Sequence, residues 1–123
     1  MEVHLTIIHP KDFLIAKAGG ILDKNASLSM LSKIVADHPD GEDLLFDLRD
    51  AQKFAASILD VIEIVKYMLE NRRTFSNRIA ILGEREKAEH PGFFEDFAYN
   101  RGLNVKVFRD FEEAIMWVMR IKE

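Results

Sequence analysis

Two short runs constrain this chain more than anything else in it. Leu44-Leu45-Phe46-Asp47-Leu48 and Ile79-Ala80-Ile81-Leu82 are almost unbroken apolar stretches of strand length. A strand covered on one face alternates polar and apolar residues. Runs without that alternation belong to strands covered on both faces, as in the middle of a parallel sheet. Parallel neighbours need long crossovers, most often helices, and the chain around the two runs supplies them.

Val3, Leu5 and Ile7 alternate with His4 and Thr6, and Phe13 to Ala18 follows across a turn at Pro10-Lys11-Asp12. This predicts an antiparallel N-terminal hairpin whose second strand ends at Gly19-Gly20. Leu28, Leu31, Ile34 and Val35 share one face of a helix from about Ser27 to Ala36. Asn25 or Ser27 is its expected cap, and Pro39 with Gly41 its stop. After the first apolar run a longer helix is expected from Ala55 or Ser57 to about Arg73. Its apolar residues Ile58, Leu59, Val61, Ile62, Ile64, Val65, Met68 and Leu69 span an arc of roughly 220°, at ~100° per residue. One sheet face does not cover so wide an arc, so a neighbouring helix or a partner chain is called for.

Beyond the second run, Glu84 to Glu89 reads as a charged loop and Pro91 as the first residue of a third helix. That helix carries Phe93, Phe94, Phe97 and Ala98 and stops at Gly102. Asn104 to Arg109 alternates as an edge strand. Asp110 with Glu113 then forms a capping-box pattern ahead of a last helix with Phe111, Ala114, Ile115, Trp117 and Val118. The predicted class is α/β: a mostly parallel five-stranded sheet with an N-terminal β-hairpin and about four helices, in the order ββαβαβαβα. At 123 residues and 48% hydrophobic, 1–123 is one domain with one core.

Composition closes several avenues. The net charge is -4 and acidic residues are interleaved with basic ones, which offers nucleic acid no surface. There is no cysteine, hence no disulfide, no thiol chemistry and no cysteine-bound metal, which suits a cytoplasmic location. No run approaches the ~20 apolar residues of a transmembrane segment, and the first residues lack a signal-peptide pattern.

Leu44-Leu45-Phe46-Asp47-Leu48-Arg49, Arg78-Ile79-Ala80-Ile81-Leu82-Gly83 and the ending from Val107 to Val118, with its Phe108, acidic turn, Ala114 and Trp117, resemble the SpoIIAA-like family. That family is a branch of the STAS fold, related in shape to lipid-binding CRAL-TRIO (SEC14-type) domains. The resemblance covers nearly the whole chain and rests on core and capping residues. It implies a bacterial domain whose better-known STAS relatives regulate sigma factors by binding an anti-sigma kinase. That kinase phosphorylates the serine of an Asp-Ser pair at the start of the helix after the central strand. Here the pair falls near Ala55 and Ala56, with Ser57 one position late, so the phosphoserine switch is not carried over intact.

Ligands of open α/β sheets gather at the carboxyl ends of the strands. Asp47, Arg49, Asp50, Lys53 and Ser57, with Glu84, Arg85 and His90 from the next strand's loop, are therefore the candidate ligand or partner surface. Surface ion pairs and turn-forming aspartates account for the same residues without any function. Phe93, Phe94, Phe97, Phe108 and Trp117 are candidates to line a hydrophobic cavity, with plain core packing as the competing account. His4 and His9 fall on opposite faces of one strand, and His38 and His90 have no partner at ligand spacing, so no metal site is expected. Gly19-Gly20 lacks the Lys-Ser/Thr of a phosphate loop, and no cofactor is expected. Arg72, Arg73 and Arg78 suit the negative end of a preceding helix. The resulting expectation is a non-enzymatic regulatory or protein-interaction domain that forms a homodimer through the wide helix face and Met116. A binder of a hydrophobic small molecule or lipid is the alternative.

Overall fold

The computed structural model describes residues 4–8 and 13–120; the hairpin turn expected at Pro10-Lys11-Asp12 and the residue His9 lie outside them. In chain order the elements are β1 (His4–Ile8), β2 (Phe13–Asp23), α1 (Lys24–Asp37), β3 (Asp43–Asp47) and β4 (Ala51–Ala55). They continue with α2 (Ile58–Glu70), β5 (Arg78–Leu82), a single 3₁₀ turn (Arg85–Lys87), α3 (Phe93–Asn100), β6 (Asn104–Phe108) and α4 (Phe111–Val118). The sheet runs β1-β2-β3-β5-β6, with β1 antiparallel to β2 and the other neighbours parallel. The α/β class, the N-terminal hairpin and the four helices are as the sequence predicts.

Among the described residues the sheet has six strands instead of five. The additional one, β4, occupies residues expected to lead directly into a helix. It forms because β2 does not end at Gly19-Gly20: it bends there and runs on to Asp23, so one edge of β2 serves two partners. Phe13 to Lys17 pair with β3, and Gly20 to Asp23 pair with β4, with a register slip between Gly20 and Ile21. The slip falls opposite Gln52, and the chain between β3 and β4 passes close to Gly19 at Asp50. A side chain on Gly19 would meet the Cβ and carbonyl oxygen of Asp50 at 3.3 Å, so Asp50 would have to give by a few tenths of an ångström.

Helix boundaries follow their caps. Asp23 accepts the Ala26 N–H at 2.8 Å, so α1 starts at Lys24, ahead of the expected Ser27. α2 ends at Glu70, where the Asn71 side-chain amide donates to the Tyr67 carbonyl at 2.9 Å, three residues short of Arg73. Pro91 lies just outside α3, which begins at Phe93. Asp110 caps α4 by accepting the Glu113 N–H at 3.1 Å. Gly41, at φ +82°, sits so close to the loop after α2 that a Cβ would come 2.3 Å from the Arg73 carbonyl oxygen.

The sheet divides the interior in two. On one face α1, α2 and α3 bury Leu14, Ile34, Phe46, Val65, Met68 and Ile79. On the other α4 covers Phe13, Leu45, Ala80, Leu82 and Phe108 with Ala114 and Val118. α2 packs between α1 and α3, so neighbouring helices take up both flanks of its wide apolar arc. Ile58 and Leu59 in its first turn remain outside, 43% and 72% exposed.

Candidate functional site

The polar residues expected to share one surface separate into two groups. Asp47 continues the side of β3 that carries Leu45, so it faces α4. It is 6% exposed, and Arg49 folds back onto it. Nε donates to Oδ1 at 2.9 Å and Nη2 to Oδ2 at 2.8 Å, while the Arg49 backbone N–H adds a contact to Oδ1 at 3.3 Å. This hydrogen bonding, foremost from the Arg49 side chain, holds the Asp47 carboxyl below the usual carboxylate range against the opposing effect of burial. The guanidinium also lies 5.2 Å from the centre of the Phe111 ring. The pair thus ties the carboxyl end of the central strand to the start of α4.

Asp50 is exposed where the chain passes close to Gly19, and Lys53 is exposed on β4. Lys87, absent from the sequence-derived set, closes the gap between β4 and the 3₁₀ turn. Its ammonium donates to the carbonyls of Ala51 at 2.8 Å and Arg49 at 3.4 Å, next to a parallel bridge between Phe54 and Ala88. Ser57 is the N-cap of α2. Its hydroxyl accepts the Asp60 N–H and the Asp60 carboxylate accepts the Ser57 N–H, each at 3.1 Å.

Glu84, Arg85 and His90 belong together elsewhere. They stand at the open side of a cavity of about 160 Å³ enclosed by the sheet and by α1, α2 and α3. Its walls are almost wholly apolar, with Met30 from α1, Phe46 and Ile79 from the sheet, Ile64 and Met68 from α2, and Phe94 from α3. The rim charges are mutually engaged. Arg85 pairs with Glu95, whose other oxygen accepts the Val107 N–H at 2.8 Å. Glu84 lies 4.0 Å from Lys87.

The five aromatic candidates do not line one cavity. Phe93, Phe94 and Phe97 pack on the face of the three helices, and Phe108 with Trp117 on the face of α4, with the sheet between them. Phe93 stacks on Phe97 at 5.5 Å between centroids, and Phe108 meets Trp117 at 5.6 Å. Of the five, Phe94 alone reaches the cavity. The aliphatic lining escaped the sequence reading because helical and strand spacing mark a residue as inward-facing without saying whether the space before it is filled. Arg78, read with the end of α2, is a β5 residue. Its N–H donates to Asp43 at 3.0 Å, and its guanidinium lies 5.0 Å from the Trp117 ring centre. Among the described residues no group of three or more His, Asp or Glu side chains is placed to hold a metal ion. No helix there is long and apolar enough to cross a membrane.

No protein-family model matches the chain, and no curated protein matches it. A solved structure from Shewanella loihica PV-4, an uncharacterised protein of the DUF3478 family with a SpoIIAA-like fold, is similar over 94% of this chain and 93% of its own. The TM-score is 0.59 at 19% sequence identity. The likeness is one of architecture, and the chain has a SpoIIAA-like fold.

Proposed function

We propose that this chain is a non-enzymatic regulatory domain that binds a small hydrophobic molecule in the cavity beneath α1, α2 and α3. The observation that carries the reading is the cavity itself, about 160 Å³ with aliphatic and aromatic walls. Dry apolar cavities of about 150 Å³ admit molecules of benzene's size. The rim carries charged groups already paired with one another, which supports recognition of an apolar body over chemistry on it.

The test is titration with benzene, hexanol and a short fatty acid, followed by amide and methyl NMR. Saturable shifts are expected at Met30, Ile64, Met68 and Ile79, and Ala56→Phe, which projects a ring into the lining, is expected to abolish them. Shifts that do not saturate, or that persist unchanged in the variant, overturn the reading. A second reading, docking of a regulatory protein partner, rests on the exposed apolar pair Ile58 and Leu59 beside Ser57. Leu59→Lys separates the two, since it removes part of that surface and leaves the cavity lining untouched.

A further inference from the structure

The two ends of the sheet are treated differently. At the β6 end, the outward N–H of Val107 is taken by the Glu95 carboxylate from α3, and the exposed Lys106 stands beside it. A carboxylate on the free ladder and a lysine on the edge strand both discourage pairing with another chain. At the other end, among the described residues, β1 pairs with β2 alone. Its sequence, His4-Leu5-Thr6-Ile7-Ile8, contains no Asp, Glu, Lys, Arg, Pro or Gly. Three of those five residues are β-branched, the type that favours extended pairing. Neither edge charge nor proline interrupts the strand.

We propose that β1 is the contact surface for a second copy of this chain, strand against antiparallel strand about a two-fold axis at Thr6. The register is self-complementary. Centred on Thr6, it sets Leu5 of each copy opposite Ile7 of the other and Thr6 opposite its own counterpart. Thr–Thr and aliphatic cross-strand pairs stabilise such a ladder, and like charges never meet. Burial agrees on both faces. Leu5 and Ile7 pack against the core beneath the helices yet stay only half-buried. On the opposite face Thr6 is exposed and Ile8 is 43% exposed. Continuing the sheet past β1 covers both rows. A five-residue strand is about 17 Å long, so the contact is at the small end of specific interfaces and the dimer forms in a concentration-dependent way.

Light scattering after size exclusion, from low micromolar to near-millimolar protein, tests this. The mass is expected to rise from one chain to two. Thr6→Lys, which sets two ammonium groups against each other on the axis, is expected to hold one-chain mass throughout, with an unchanged circular dichroism spectrum. Leu59→Lys is expected to dimerise like the unaltered protein. Hydrogen exchange needs no variant: amides of Leu5 to Ile8 are expected to slow as concentration rises. A one-chain mass of the unaltered protein at every concentration overturns the proposal. So does a dimer that survives Thr6→Lys and yields to Leu59→Lys.

Discussion

Both oxygens of Asp47 are taken up by one neighbour, Arg49, two residues along the chain. A carboxylate at the end of a central strand stands where ligands usually bind, and the sequence shows that address clearly. It does not show that Arg49 turns back, because apolar patterning ends with the strand and says nothing of the turn after it. The consequence is measurable as pH dependence. A carboxyl held below its ordinary value contributes stability that is present above the unfolded pKa, about 3.9, and is lost as pH falls through the lower folded value. Asp47→Asn is expected to cost about 1–2 kcal/mol at neutral pH, the modest end for charge-assisted hydrogen bonds because Arg49 is half-exposed. Urea denaturation from neutral pH down to about pH 3 should show that gap narrowing once the pH drops below the ordinary carboxylate range. A gap constant across the range would contradict this account of Asp47.

At the scale of elements, caps decided most boundaries. Ser57 and Asp60 satisfy each other's backbone N–H groups at the start of α2, so the serine has a structural task whether or not anything modifies it. Ser57→Ala is expected to lower stability by about 1 kcal/mol, and Ser57→Asp to change it by only a few tenths, since Asp caps as well as Ser. Thermal or urea unfolding of the two variants checks the pair. The cap at Asp110 was legible because Asp three residues ahead of Glu, before an apolar periodic run, has a local meaning, whereas Ser57 reads as the start of the helix and is in fact its N-cap. β4 was not legible. Ala51-Gln52-Lys53-Phe54-Ala55 has no β-branched residue, and it is a strand because the second half of β2 offers it an edge, a tertiary effect that outweighs local preference. Asp23 was missed as a cap for the same reason: it becomes the end of a strand only when β2 continues past its glycines.

Across the whole molecule, the sheet isolates two cores. Ile34 on α1 and Ile115 on α4 lie on opposite sides of it. Ile34→Val and Ile115→Val are each expected to cost about 0.5–1.5 kcal/mol, and the double variant to cost their sum within about 0.5 kcal/mol. Coupling well beyond that in urea titrations would mean the two cores are not independent. The α/β architecture was legible because it depends on which residues are apolar and how they are spaced. The aliphatic lining of the cavity was not, because a cavity is a shortfall of atoms among residues that are all correctly inward. The Glu95 carboxylate on the β6 edge has a further consequence for assembly. A sheet open at both ends can add chains without limit, which is how fibres grow. Glu95 holds one outward N–H of β6 and so opposes growth there, and under the proposed pairing β1 is used up after a single step. On the proposed pairing, that carboxylate bears on where assembly stops, while β1 bears on how tightly it starts.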